Sequence, residues 1–322
     1  MALDKPVRRI AIVGTGVIGA SWAAEFLARG FDVIATDPAP NAEANLRKYI
    51  DAAWPALTSM GLSQKASRDR LSFTLDMKKA LSDVDLVQEN GPERPDFKIK
   101  LFADMDAATP PDSIIASSSS GITMSVMQSA CTHPERCVVG HPFNPPHMIP
   151  LVEVVGGSKT SPDTIRRAIA FYASIGKKPI HLRKEVVGHV ANRIQAALYR
   201  EVVYLISQGV LDVADADTAV SWGPGLRWGV MGPSMLFHLG GGQGGIQHFM
   251  DHLSGPVASW WKNLGSFTDW PAGSKQSIVD GVAQEAGGRT VDELARMRDV
   301  VLLEIVKLRM KQAESSAPAH AR

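Results

Sequence analysis

Two groups of residues in this chain have the types and spacing to do chemistry. The first is Gly14-Thr15-Gly16-Val17-Ile18-Gly19, a G-x-G-x-x-G run. Gly14 permits a tight turn, Gly16 has no Cβ to bar a pyrophosphate from the backbone, and Gly19 lets a helix pack close to a strand. A helix that opens here turns free N–H groups and the positive end of its dipole toward phosphate. Gly14, Gly16, Val17, Ile18 and Gly19 are therefore candidate cofactor-binding residues. Asp37 follows 23 residues after Gly14. A carboxylate there accepts hydrogen bonds from ribose hydroxyls and repels a 2′-phosphate, and Pro38-Ala39-Pro40 offers no Arg to receive one. The expected cofactor is NAD rather than NADP.

The second group is His141 and Glu153. Glu153 sits inside the apolar run Leu151-Val152-Glu153-Val154-Val155. A charge within such a strand is costly unless it is paired. His141, twelve residues earlier and at the end of another apolar run, is the natural partner. A carboxylate on one imidazole nitrogen fixes the tautomer and raises the basicity of the other nitrogen. Such a base suits hydride transfer, where something must take the hydroxyl proton as hydride leaves carbon. The residue types alone leave a structural pair and a catalytic pair both open.

These residues need elements to hold them. Short apolar runs at 10–13, 31–36, 71–74, 84–89, 113–117, 137–140, 151–155 and 179–182 read as buried strands. Helical patterns at 20–29, 41–59, 97–108 and 162–175 fall between them. Strand, helix, strand at these lengths is a βαβ arrangement with a mostly parallel sheet. After Gly188 the strand signals fade. Helices are expected at 188–208, 213–222, 232–252, 274–286 and 290–312, and residues 314–322 are expected to fray. The expected class is α/β, with a Rossmann-type N-terminal domain over residues 1–185 and an all-α C-terminal domain over 186–322.

Composition narrows the field. The chain has 322 residues, 45% hydrophobic and 21% charged, with a formal net charge of +1. That balance supplies no field to draw it to nucleic acid or a membrane surface. No uncharged run of about 18 apolar residues is present, so no membrane span is expected, and residues 1–9 carry no apolar leader segment. The only cysteines, Cys131 and Cys137, form no C-x-x-C pair and no zinc-type cluster, so no metal is expected. Two reduced thiols suggest a cytoplasmic protein. The apolar run at 300–308 suggests a homodimer.

With these motifs in hand, the sequence resembles the 3-hydroxyacyl-CoA dehydrogenase family. The resemblance rests on the glycine turn, Glu93 and Lys98, Ser117-Ser118-Ser119-Ser120, His141-Pro142-Phe143-Asn144-Pro145, Glu153, and Gly188-His189-Val190-Ala191-Asn192-Arg193. It implies that His141 takes the proton of a 3-hydroxyl and that Glu153 orients it. Ser120 and Asn192 would bond the substrate oxygen and its surroundings, in a cleft between the domains. Glu93 and Lys98 would meet the nicotinamide-side ribose, and Ser118 and Asn144 would join the cofactor contacts.

Departures from the family bear on the substrate. Acyl-CoA enzymes usually show Ser-Asn-Thr-Ser-Ser where this chain has Ser117-Ser118-Ser119-Ser120-Gly121. Their lysine-rich helix after the second strand is replaced by residues 41–59, with only Arg47 and Lys48. The chain is more similar to the subgroup containing L-carnitine dehydrogenase and L-gulonate 3-dehydrogenase, to which lambda-crystallin is related. The expected substrate is a small free 3-hydroxy acid. Trp222, Arg227 and Trp228 are candidates for its pocket, Arg227 for a carboxylate and the tryptophans for a quaternary ammonium. The alternative is a 3-hydroxyacyl-CoA, which Lys65, Arg68 and Arg70 keep open. A third reading, a non-catalytic NAD-binding or structural protein, fits poorly with an intact Ser120–His141–Glu153–Asn192 set.

Overall fold

The computed structural model describes residues 6–315. Residues 1–5 lie outside them, as do residues 316–322 of the tail expected to fray. The chain divides into two compact units, Met1–Asn192 and Arg193–Arg322.

The first unit is built on one eight-stranded sheet. Its strands are β1 (Arg9–Val13), β2 (Asp32–Thr36), β3 (Leu71–Phe73), β4 (Leu86–Glu89), β5 (Ile114–Ser117), β6 (Cys137–Pro142), β7 (Leu151–Gly156) and β8 (Lys178–Leu182). They lie in the order β3-β2-β1-β4-β5-β6-β7-β8. Every neighbouring pair is parallel except β6–β7. The inner strands are buried and mostly apolar because both faces are covered, and the charges they do carry, Glu89 in β4 and Glu153 in β7, are paired. Alternate residues of β1 show this directly. Ile10 and Ile12 join one core with Trp22, Phe26, Leu46, Phe171 and Tyr172. Ala11 and Val13 join the opposite core with Val87, Phe102, Met105 and Val139.

The covering helices are α1 (Val17–Ala28), α2 (Ala42–Met60), α3 (Met77–Leu81), α4 (Pro95–Ala108), α5 (Met124–Met127) and α6 (Pro162–Ser174). The buried residues of α2 are Ala42, Leu46, Ile50, Ala53 and Leu57, one stripe at helical spacing. Helices α3 and α5 escape sequence reading because one turn is too short for a period to show. Chain direction across the sheet reverses at β1, whose neighbours are β2 on one side and β4 on the other. Cofactors bind at such switch points, beyond the carboxyl ends of the strands.

Helix α7 (Ala191–Ser207) begins in the first unit and runs on into the second. The second unit then holds α8 (Val213–Trp222), α9 (Pro224–Trp228), α10 (Pro233–Gly240), α11 (Gly245–Trp261), α12 (Ser274–Ala286) and α13 (Val291–Ser315). The single helix expected over 232–252 is two. Glycines 240–242, 244 and 245 break it, and Gly242 and Gly245 take φ of 58° and 60°. Helix α13 also runs on to Ser315, past the expected end at residue 312. Among the described residues no helix is long and apolar enough to cross a membrane.

Candidate active site

The glycine turn leaves the end of β1 and opens α1. Gly14 has φ of 86°, and a Cβ there would lie 2.8 Å from the Asn90 carbonyl oxygen. A Cβ on Gly19 would lie 2.0 Å from the Gly14 carbonyl oxygen, so helix and turn can approach only without one. Gly16 differs: a Cβ there would meet no protein atom within 4 Å. Its bareness serves something outside the chain. Gly16 caps α1 with no side-chain acceptor, and the first turn carries no acidic residue. Val17 is exposed and Ile18 half-buried at this helix start. The Gly14 and Thr15 amides are taken by the Thr36 carbonyl and Asp37, so the amides from Gly16 onward, at the positive end of the helix, are the ones that suit a pyrophosphate.

Asp37 follows β2. Its Oδ2 accepts from the Thr15 amide at 2.7 Å and the Thr15 hydroxyl at 3.0 Å, and its Oδ1 accepts from the Ala39 amide at 2.8 Å. The carboxylate is thereby held at the rim of a groove of about 310 Å³ that Gly16, Val17, Pro40, Asn45 and Tyr49 also line. The glycine cradle, the free helix start and this carboxylate together fit NAD.

His141 and Glu153 are register partners across the antiparallel β6–β7 pair. The pleat points both side chains to the same face, where directly opposed residues meet. His141 Nδ1 lies 2.8 Å from Glu153 Oε2, and its Nε2 lies 3.2 Å from Ser120 Oγ. Both side chains are buried, at 6% and 0% exposure. The second oxygen of Glu153 accepts from the amides of Val190 at 2.8 Å and Ala191 at 3.0 Å. Burial alone would raise the Glu153 pKa. The His141 bond and the two amides outweigh it and hold the carboxyl below its usual range. A charged carboxylate on Nδ1 leaves Nε2 as the nitrogen that can take a proton.

Glu93 lies beyond β4 and accepts from Ser119 Oγ at 2.7 Å and from the Gly121 and Ile122 amides at 2.8 and 3.2 Å. Burial would raise its pKa as well. The Ser119, Gly121 and Ile122 bonds and the charge of Lys98 bring it down instead. Glu93 thus pins the loop that carries Ser120. Lys98 is turned inward: its Nζ binds both oxygens of Glu89 at 2.7 and 2.9 Å and stands 3.8 Å from Glu93. An ammonium 1% exposed has no open face for a ribose, so the direct contact expected of Lys98 gives way to a supporting position behind Glu93.

Ser118 is also committed. Its hydroxyl donates to Asn90 Oδ1 and accepts from Gln88 and Trp22, which leaves no side-chain valence for a cofactor. Asn144 is exposed, and its bond to Pro145 is cis. The Asn192 amide, in the first turn of α7, makes no hydrogen bond among the described residues. Trp222, Arg227 and Trp228 fall on α8 and α9 of the second unit. The tryptophans are 78% and 42% exposed, so neither is a core residue there.

Two residues with no role assigned from sequence belong to this constellation. Glu89 is fully buried and also accepts from Ser117 Oγ at 2.6 Å. The signal that marks Glu153, a charge flanked on both sides by apolar residues, is weaker at Glu89, which ends its strand after Gln88. His189 is buried, and its ring centroid lies 5.1 Å from that of His141.

Comparison with known proteins identifies the family. Residues 9–186 match the model of the 3-hydroxyacyl-CoA dehydrogenase NAD-binding domain, and residues 188–280 that of the C-terminal domain of the same family. The chain is 48% identical to an L-carnitine dehydrogenase of Streptomyces griseus subsp. griseus, over 94% of this chain and 90% of that protein. It is 46% identical to an L-carnitine dehydrogenase of Streptomyces coelicolor, over 95% and 96%. A similar solved structure is a 5-formyl-3-hydroxy-2-methylpyridine 4-carboxylic acid 5-dehydrogenase, an NAD+-dependent dismutase. It superposes with a TM-score of 0.81 at 32% identity, over 94% of this chain and 98% of that one.

Proposed function

Because the chain belongs to the 3-hydroxyacyl-CoA dehydrogenase family, and is an NAD-dependent oxidoreductase acting on a CH–OH group, we propose that it oxidises the 3-hydroxyl of a small free acid of the L-carnitine type. The observation that carries this reading is the buried Glu153–His141–Ser120 chain of hydrogen bonds, which leaves one imidazole nitrogen competent to accept a proton. Residues 1–185 serve NAD in this reading, and residues 186–322 serve substrate and dimer.

Gly14, Gly16, Gly19 and the first amides of α1 hold the pyrophosphate, and Asp37 the adenosine ribose. When bound, NAD supplies the acceptor for the hydride that leaves C3. His141 takes the hydroxyl proton at Nε2, and Glu153 stabilises the imidazolium that results. Ser120 releases Nε2 as substrate arrives and donates to the substrate oxygen, with Asn192 beside it. In reverse, imidazolium and Ser120 stabilise the developing oxyanion.

Three observations favour a free acid over a CoA thioester. The relatives at 46–48% identity bear a carnitine name, and the similar structure is named for a carboxylic acid. Three of the basic residues around α2 are paired with local acids, Arg47 with Glu43, Arg68 with Asp51 and Arg70 with Asp32, which leaves Lys48 and Lys65 as the cations without an ion pair among the described residues. Trp222, Arg227 and Trp228 remain our candidates for the ammonium and carboxylate ends.

The second unit buries few of its apolar side chains. Val300, Val301 and Leu308 on α13 are 68%, 61% and 67% exposed, and we propose that they close a homodimer. A monomer in sedimentation at micromolar concentration would remove that part. The two free thiols, Cys131 and Cys137, suit the cytoplasm. NADH absorbance with L-carnitine, L-gulonate, L-3-hydroxybutyrate and 3-hydroxybutyryl-CoA tests the substrate. Turnover of the thioester alone would overturn the free-acid reading.

A further inference from the structure

His189 stands where both arms that hold His141 meet. It is 1% exposed and has a left-handed backbone, φ 49°, directly after Gly188 at φ 77°. Histidine is one of the few side chains that this region favours. The left-handed pair turns the chain so that the next two amides, Val190 and Ala191, point at Glu153 Oε1. Successive amides in such a turn form an anion-binding nest. The ring reaches the other way, with Nε2 3.0 Å from the Ser119 carbonyl oxygen. Ser119 precedes Ser120, whose hydroxyl meets His141 Nε2.

We propose that His189 is a positioning residue: its backbone sets the Glu153 arm and its ring the Ser120 arm, so one side chain aligns both partners of His141. The proposal rests on His141 being the base. A bond from Nε2 to a carbonyl requires the proton on Nε2, which leaves Nδ1 a bare acceptor. Nδ1 is buried and has no hydrogen-bond partner among the described residues. Burial lowers the His189 pKa, and nearby His141 adds to this. The Ser119 carbonyl, Glu153 and Glu93 act in the opposite direction without reversing it. The ring therefore stays neutral beside His141, and adds no charge to compete with the imidazolium that forms there.

Two variants test this in the full-length enzyme. His189→Phe keeps the ring volume and loses the donor. His189→Gln places an amide N–H near the position of Nε2. The Phe variant should lose about 10- to 100-fold in kcat, the scale of a modest misplacement of a catalytic group. KM for NAD should hold. The acid limb of its kcat/KM profile should move to lower pH, because a loosened Glu153 stabilises imidazolium less. The Gln variant should recover most of the loss and restore the limb. Wild-type kcat and an unmoved limb in a folded Phe variant would overturn the proposal. So would equal loss in Gln and Phe at unchanged Tm. If His141→Gln keeps turnover, the base assignment fails instead.

Discussion

Glu153→Gln separates the role of the carboxylate from its shape. Gln has the same outline, and its oxygen can still accept from the Val190 and Ala191 amides. Its –NH2 then faces His141 Nδ1, where Glu153 Oε2 stood at 2.8 Å. Nδ1 must become the acceptor, so the proton moves to Nε2. The nitrogen meant to receive the substrate proton is capped. Reaction requires the other tautomer, which sets two N–H groups against each other in a buried site. The loss of one hydrogen bond to a charged group is about 1.5–3 kcal/mol, and a buried donor left unsatisfied adds about 1–3. At about 1.4 kcal/mol per decade the sum, about 3–6 kcal/mol, predicts a fall in kcat of about 10²- to 10⁴-fold. The assay is NADH formation at saturating NAD, with NADH affinity from fluorescence and Tm by calorimetry. Affinity and Tm should stay near wild type, since the fold keeps both amide bonds. A variant within about threefold of wild-type kcat would refute the reasoning, because no other buried anion contacts Nδ1 among the described residues.

Gly16→Ala and Gly19→Ala should part company. Gly16 faces open space, so its variant keeps Tm and loses NAD affinity, whereas Gly19 would drive a Cβ to 2.0 Å from backbone and lose both; equal Tm losses in calorimetry would contradict the assignment. Lys98→Met strands the buried carboxylate of Glu89 with only Ser117 and the Gly91 amide, and should cost about 3–5 kcal/mol in urea unfolding. A loss under about 1 kcal/mol would refute the pairing as a structural support. Acid should weaken the fold through Glu93, Asp106 and Glu153. Asp106 is raised by burial but held down overall by the His133 amide, Arg136 and the Thr132 amide. All three have folded pKa values below their unfolded ones. Their contribution is present above the unfolded carboxylate range, about 4, and is lost as pH falls through the lower folded values. The urea midpoint should therefore drop between neutral pH and pH 3; a flat profile would count against those pairings.

The inner strands are legible because strands covered on both faces are mostly apolar, and that signal survives without knowledge of partners; the edge strands β3 and β8 carry it only in part, with Ser72 and His181 exposed. Three features were hidden for physical reasons. The break between α10 and α11 turned on glycines whose φ only the folded chain fixes. Lys98 is expected from the resemblance to meet a ribose, and only the fold shows Glu89 beneath it. The His141–Glu153 pairing was expected from cost, an apolar strand with one charge. The twelve-residue spacing could not show that β6 and β7 run antiparallel and set the two in register. In a parallel pair the two would not stand opposite by so short a connection. The proposed acid pocket is least legible, because its candidates Trp222, Arg227 and Trp228 belong to short exposed helices that no periodicity constrains.

Among the described residues four buried ion pairs occupy this unit, and their partners decide what each can do; in one of them Glu25 faces Lys177. Glu89 faces Lys98, Asp106 faces Arg136, and Glu153 faces His141. A guanidinium keeps its proton in a protein, and an ammonium has three donors and no acceptor. Neither can receive a proton from a substrate. Burial makes such pairs fixed supports: Glu89–Lys98 sits behind Glu93, and Asp106–Arg136 ties α4 to the loop before β6. Imidazole alone among the three kinds of cation can exist neutral and then charged at neutral pH. Glu153 therefore has a partner whose charge can appear during a reaction, in a site where a buried carboxylate is waiting to stabilise it. Exchange of the partners, with a lysine at position 141, would keep the charge pair and abolish proton acceptance. His141→Lys is expected to fold, to bind NADH, and to turn over substrate at a small fraction of the wild-type rate.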